Sequence, residues 1–158
     1  MDSRAVATMT DSLTTERRSW NMSRIRGKDT VIELKVRRFL FSEGFRYRIH
    51  VRNLPGKPDI VLKKYRTVIF IHGCFWHRHQ GCKDATIPKT RTEFWMDKFQ
   101  KNVINDESHV ESLAFMGWNV IVLWECEIER KFDNTMAALL EKLKKHGDLQ
   151  KTIMKERR

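Results

Sequence analysis

The stretch HGCFWHRHQGC, His72 to Cys82, holds three of the chain's six histidines and two of its three cysteines. Histidine and cysteine at such close spacing are the ligand types of a borderline-soft metal such as Zn2+. With Arg78, Gln80 and glycines between them, the segment buries too little apolar surface to order itself. A chain built around it must supply a scaffold on both sides, and something besides packing must fix the loop. Cys74, His79 and Cys82 are separated by four and then two residues, and Cys126 lies 44 residues further on. These four would complete a tetrahedral site with no open position, the form of a structural zinc. The competing reading is that the cysteines are small buried apolar side chains. Phe75 and Trp76, inside the loop, could press aromatic surface against a partner.

The scaffold available is 158 residues, enough for one domain that buries roughly 68–70% of the surface its unfolded chain exposes. No apolar run approaches the roughly 20 residues of a membrane span, and the N-terminal residues lack the apolar core of a signal peptide. A cytoplasmic protein without a membrane partner is expected, its cysteines reduced or metal-bound. Lys and Arg number 31 against 20 Asp and Glu, a net charge of +11. That field favours phosphate backbones; a membrane surface would need a basic amphipathic helix with a broad apolar face, and here the basic residues are scattered.

Along the chain, residues 1–20 show no periodicity and read as a flexible arm. The segment NMSRIRGKD, with Met22, Arg24, Arg26 and Lys28, could track DNA. Thr30 and Glu33 have capping-box spacing, and Ile32, Val36, Phe39 and Leu40 share one face, so a helix is predicted over about 30–43, stopped by Gly44. FRYRIHV, 45–51, alternates like a half-exposed strand. LPGKPD is a turn. Ile60–Leu62 and Thr67–Ile71 read as a hairpin in which a tight turn at Tyr65 and Arg66 would set Asp59 opposite His72.

A helix is predicted from near Thr92 to Met116, in one or two pieces and ended by Gly117. Trp118–Cys126 reads as a central strand, parallel to an earlier one, with Trp118 and Trp124 in the core and Cys126 at its end. A last helix runs from Asp133 to near Gly147, leaving 148–158 as a basic tail. The domain proper is thus 21–147, an α/β fold.

Asp59 follows a proline at the mouth of the hairpin. It is either a turn aspartate bonded to local amides or a carboxylate ligand for Mg2+, a hard cation that prefers oxygen. A carboxylate meeting His72 beside basic surface fits metal-assisted phosphodiester hydrolysis. Glu33 is a capping residue that could also reach such a site. His77 is spaced to point away from the zinc ligands and could be a general base or a spare ligand. His50, His109 and His146 read as solvent or packing residues, and Trp95 as core.

Taken together, NMSRIRGKDTVIE, LPGKPD, VIFIHGCFWHRHQGC, TRTEFW, KNV and GWNVIVLWEC resemble, in order and spacing, the very short patch repair (Vsr) DNA mismatch endonucleases over about residues 20–130. The resemblance implies a restriction-endonuclease-like single domain, a central mixed sheet flanked by helices, with a structural zinc site. It implies a Mg2+-dependent enzyme that nicks duplex DNA 5′ of the thymine in a T:G mismatch, the product of 5-methylcytosine deamination. Carried over by position, Asp59 and the backbone of Ile71 would hold Mg2+, His77 would be the general base, and His72 and Glu33 would assist. Cys74, His79, Cys82 and Cys126 would hold Zn2+. Phe75, Trp76 and Trp95 would form a wedge entering the base stack, with Met22, Arg24, Arg26 and Lys28 as further DNA contacts. A monomer handing its product to downstream mismatch-repair proteins is expected. Two departures stand out: Ile71 replaces a threonine that relatives can carry, and His79 and Cys82 are one residue further apart. The rival functions are a restriction-type nuclease on matched duplex and a zinc-dependent DNA-binding module without catalysis.

Overall fold

The computed structural model describes residues 14–23 and 27–156. Met22 lies in a helix whose side chain at that position is not among those described, and Arg24 and Arg26 lie outside the described residues. The chain separates into two units, Met1–Thr30 and Val31–Arg158. The first contains helix α1, Thr15–Ser23, where an arm without structure was expected. The signal was there: Thr14 Oγ1 accepts the Arg17 N–H at 3.3 Å and Glu16 sits in the first turn, both favourable at a helix start.

In the second unit, α2 spans Val31–Ser42 and ends at Gly44, as its periodicity predicts. Strand β1, Ile60–Leu62, pairs antiparallel with β2, Thr67–His72, in the register Ile60 to Ile69. This is two residues short of the expected register. The connection is a 3-10 turn over Lys63–Tyr65 closed by Arg66 in the left-handed region (φ 47°), longer than a tight turn. Asp59, whose N–H donates to the Ile69 carbonyl, therefore faces Phe70 rather than His72. Both residues still leave the sheet at one end and, by the strand alternation, on one face.

FRYRIHV forms no full strand. Only Arg48 bridges to Val61, and His50 at φ 55° breaks the extended run two residues later.

Helix α3, Thr92–Phe115, is continuous and carries the chain back to β3, Asn119–Trp124, parallel to β2. Gly117 at φ 81° ends α3, its N–H on the Ala114 carbonyl, a conformation costly for any residue with a Cβ. The sheet order is β1-β2-β3, so β2 is central and β3 is an edge, contrary to expectation. The hydrophobicity of β3 reflects cover on both faces. Ile121 and Leu123 join the cluster of Val36, Leu40, Ile69 and Ile128, while Val120 and Val122 pack with Val68, Phe70 and Leu113 of α3. Trp118 and Trp124 are half-buried rather than core.

Cys126 lies just beyond the strand, in helix α4, Glu125–Arg130. Helix α5 then runs from Phe132 to Glu156, through the expected stop at Gly147 and most of the expected tail. Gly147 is buried because a Cβ there would lie 3.1 Å from Cδ1 of Tyr65; the glycine permits close approach instead of ending the helix. Packing overrides its poor helix propensity. The result is a mixed sheet with α3 on one face and α2, α4 and α5 on the other. No described helix is long and apolar enough to cross a membrane.

Candidate active site and metal centre

At the end of β2 the chain turns sharply, with the His77 N–H on the Gly73 carbonyl and the His79 N–H on the Cys74 carbonyl. Cys74, His79, Cys82 and Cys126 meet here, with one ligand atom from each and all four atoms within 4.8 Å of one another. His79 Nδ1 lies 3.6 Å from Cys74 Sγ and 3.3 Å from Cys126 Sγ. Burial pushes the Cys74 thiol up to about 12, and raises that of Cys126. Without a cation these thiols stay protonated. Three thiols converging on an imidazole nitrogen at this separation fit a tetrahedral thiophilic cation, since metal–sulfur bonds of about 2.3 Å set sulfurs roughly 3.8 Å apart.

The loop is also held by a residue that sequence reasoning passed over. Arg78, itself at φ 56°, donates to the carbonyls of Thr86 (2.9 Å) and Ala85 (2.7 Å), and its guanidinium lies 4.3 Å from the Phe99 ring centroid. The arginine that appeared to dilute the histidine cluster thus closes the loop onto its own exit and onto α3. Asp84, near Cys82 Sγ at 3.7 Å, is paired with Arg130 of α4.

A second cluster lies beside the first. His72 is buried and stacks on His77 with centroids 3.9 Å apart and planes 9° from parallel. Asp106 of α3 places Oδ2 2.6 Å from His77 Nδ1. Burial, with His77 close by, lowers His72 to about 4, so it is neutral at physiological pH. Trp124 joins the two clusters, stacked on His79 at 4.2 Å and edge-on to His72 at 5.4 Å. In this cluster, sequence reading missed Asp106 and gave Trp124 no role beyond core packing. Asp106 sits mid-helix among polar residues with no local motif, and Trp124 looks like ordinary strand core.

Asp59 accepts the Ile71 N–H at 2.7 Å through Oδ2. In an antiparallel ladder the N–H and C=O of one residue face the same neighbour, so the Ile71 carbonyl is directed to the edge that Asp59 occupies. Burial raises the Asp59 carboxyl to about 6, the Ile71 amide opposes this, Glu33 adds to it, and Arg37 and His77 oppose it. A half-buried carboxylate with a second carboxylate in range is short of positive charge, which suits a hard cation bound through oxygen. Glu33 is buried and held by Arg37 Nη2 at 2.9 Å, one turn along α2. Asp59, Glu33 and His77 therefore share one electrostatic neighbourhood.

The aromatic residues gather next to this site. Phe75 meets Trp76 (5.1 Å), Phe99 (5.1 Å) and Trp95 (5.8 Å), all edge-on, and Trp76 lies 5.9 Å from Trp95. Phe99 is buried, so it roots a half-exposed group. Asn102 of α3 donates to the Trp76 carbonyl at 3.1 Å, and the Lys98 ammonium lies 5.2 Å from the Trp76 ring. Trp95 belongs to this group rather than to the core. Lys28, also singled out in the sequence, is exposed. His50 is exposed, and His109 packs on Gly56, in keeping with the solvent or packing roles read for them.

The sequence model of one family, described as DNA mismatch endonuclease Vsr, matches residues 10–84. A type II nicking enzyme, V.NmeAIP of Neisseria meningitidis serogroup A, is 50% identical over 123 residues, 78% of this chain and 87% of the relative. V.XorIIP of Xanthomonas oryzae pv. oryzae, also a type II nicking enzyme, is 46% identical over 76% of this chain and 88% of its own. DNA mismatch endonuclease Vsr of Escherichia coli is 44% identical over 126 residues, 80% of each chain.

Proposed function

The chain belongs to the DNA mismatch endonuclease Vsr family, and from that premise we propose that it is a Mg2+-dependent enzyme nicking duplex DNA 5′ of the thymine in T:G mismatches. The observation that carries this reading is the meeting of Asp59, His72 and the Asp106-held His77 at one end of the sheet, beside the aromatic group. We read the fold as restriction-endonuclease-like and the protein as a monomer acting on cytoplasmic DNA before other repair proteins.

In the mechanism, Asp59 and the Ile71 carbonyl would hold Mg2+. When bound, that ion offsets the charge that builds on the scissile phosphate and acidifies a coordinated water. His77 takes the proton of the attacking water. The carboxylate of Asp106 on Nδ1 fixes the tautomer with Nδ1–H and leaves Nε2 as the ring's acceptor. His72, neutral and stacked on His77, keeps that ring from rotating and offers a hydrogen bond to a phosphate oxygen. Glu33, fixed by Arg37, adds negative charge that strengthens the hold on the cation. The water oxygen bonds to phosphorus as one P–O bond to a sugar oxygen of one strand breaks, and the leaving sugar oxygen takes up a proton from solvent.

The zinc assignment rests on the donor set of Cys74, His79, Cys82 and Cys126. That ion would be structural, holding Phe75, Trp76 and His77 in register with Asp59. Phe75, Trp76 and Trp95 are suited to enter the base stack, where unstacking costs a few kcal/mol per step and least at a mispair. Met22, Arg24, Arg26 and Lys28 would add DNA contacts.

The test is strand cleavage with Mg2+ on matched and T:G duplexes of otherwise identical sequence. The reading requires a nick on the thymine strand of the T:G duplex alone, abolished by Asp59→Ala with the fold retained. Equal cleavage of matched DNA would turn the assignment toward a restriction-type nuclease.

A further inference from the structure

Arg78 stands between two histidines that serve different clusters, His77 beside Asp106 and His72, and His79 beside the thiols. Its backbone is left-handed at φ 56°, uncommon for a residue with a Cβ. The side chain joins what this turn separates. Nη1 donates to the carbonyls of Phe75 (3.4 Å) and Thr86 (2.9 Å), Nη2 to that of Ala85 (2.7 Å), and the guanidinium lies 4.3 Å from the centroid of Phe99. One planar group thus touches the backbone of the aromatic group, the segment that leaves the cysteine loop, and the buried ring of α3 on which Phe75 and Trp95 pack. Among the described residues no carboxylate pairs with Arg78, so carbonyl dipoles and a ring face hold it.

The groups around it have other anchors. His77 is held by Asp106 and His72, Trp76 by Asn102 at its carbonyl, and the loop exit by the pairing of Asp84 with Arg130. For Phe75 the polar anchor is Arg78 itself. Loss of this side chain therefore reaches the aromatic group first and leaves the general base and the thiols with their own supports.

We propose that Arg78 is a positioning residue for mismatch discrimination. It fixes Phe75 and Phe99 against the loop exit, so that Phe75, Trp76 and Trp95 meet the base stack already ordered. Without it these side chains would be ordered only on binding, and that cost falls on the complex in which they enter the stack. A matched duplex, which they do not open, does not bear it. The DNA part of this inference rests on the T:G reading; the ordering of the aromatic group by Arg78 does not.

Arg78→Gly is the informative variant, because glycine accepts φ 56° freely and only the side chain is lost. Arg78→Lys keeps the charge without the planar fork. Metal analysis checks that the cysteine loop persists, near-ultraviolet circular dichroism reads aromatic packing without DNA, and affinities are measured on T:G and matched duplexes at several salt concentrations. For Arg78→Gly the aromatic signal should weaken at unchanged metal content and T:G affinity should fall about tenfold, while matched affinity and the nicking rate at saturating enzyme stay within about threefold. Arg78→Lys should remain closer to the glycine variant than to wild type. An equal loss on both duplexes, with the salt slope lowered by about 1, is the signature of a phosphate contact and overturns the proposal. So does an unchanged aromatic signal, a loss of the metal, or full recovery by lysine. Wild type that binds and nicks both duplexes alike would fail the T:G reading instead, and the aromatic signal would still decide what Arg78 holds.

Discussion

The carboxylate of Asp106, midway along α3, reaches His77 Nδ1 at 2.6 Å, and the same imidazole lies flat on His72. His77 is thereby oriented by a residue 29 positions away on a rigid helix, not by its own loop. Asp106→Asn is expected to leave the fold intact, because the pair is only partly buried, and to reduce the single-turnover nicking rate by about 10²-fold, within the range for a misoriented general base. His77→Ala should cost as much, and the double variant little more than either single one, since the two act as a unit. Additive losses would show that Asp106 works on something other than His77.

Asp59 carries the clearest pH signature. Its folded-state carboxyl is raised from 3.8 to about 6, so its contribution to the stability of the metal-free protein is present below about pH 4 and is lost as pH rises to about 6. That difference corresponds to about 3 kcal/mol at most. Asp59→Asn should therefore stabilise the metal-free protein at pH 7 while leaving it inactive, with a gain that shrinks between pH 6 and 4; denaturant titrations at several pH values check this. Divalent cation binding needs the ionised form. At subsaturating Mg2+ the nicking rate should fall about tenfold per pH unit below pH 6 and recover when Mg2+ is raised.

Much of this arrangement was legible in the sequence because local chemistry announces it. Cys74, His79 and Cys82 have ligand spacing, Gly44 and Gly117 end their helices where the apolar periodicity stops, and the β-branched runs at 60–62 and 67–71 can be little else than strands. What escaped depends on distant partners or on a single dihedral angle. The hairpin register turned on the left-handed Arg66, and the failed strand at 45–51 on His50. Gly147 reads as a stop unless Tyr65 is known to lie against it. Asp106 and Trp124 carry no local pattern; only the fold brings them to His77 and His79.

The loop leading to Asp59 is wedged against α3. Gly56 has φ 69°, and a Cβ there would lie 2.9 Å from Cγ of His109. Gly56→Ala combines a backbone cost of about 1 kcal/mol with a collision against a ring on a packed helix, and should destabilise the protein by about 2–3 kcal/mol. Because the displaced segment feeds into Asp59, nicking should fall as well. Adding His109→Ala removes the collision and should restore about half of the stability, leaving the dihedral cost. A double-mutant cycle in urea with no coupling between the two would refute the contact as the cause.

Removal of the thiophilic ion should reach both sites through Trp124, which stacks on His79 and meets His72 edge-on. Metal analysis is expected to find about one zinc per chain. Because burial keeps Cys74 and Cys126 protonated without a cation, binding releases protons and chelators should strip the ion more readily at low pH. Cys126→Ser should lower the melting temperature by at least about 10 °C, at about 2–4 °C per kcal/mol for a chain of this size. Stripped protein supplied with Mg2+ alone should nick poorly. An intact, fully active wild type free of zinc would refute the assignment.

Phe75 and Trp76 adjoin in sequence but are rooted differently, and mutation should separate their roles. Phe75 has three aromatic neighbours including buried Phe99, whereas Trp76 meets Phe75 and Trp95 and is held through its backbone by Asn102. Trp76→Ala should leave folding within about 0.5–1 kcal/mol of wild type and weaken T:G duplex binding by about 10- to 100-fold, the loss expected for one base–aromatic stack of about 1–3 kcal/mol. Phe75→Ala should lose binding and stability together, since it leaves a hole over Phe99. Binding to matched duplex, which offers no weakened step to open, should change far less for Trp76→Ala. If matched and mismatched affinities drop equally, Trp76 is a general DNA contact and discrimination lies elsewhere in the aromatic group.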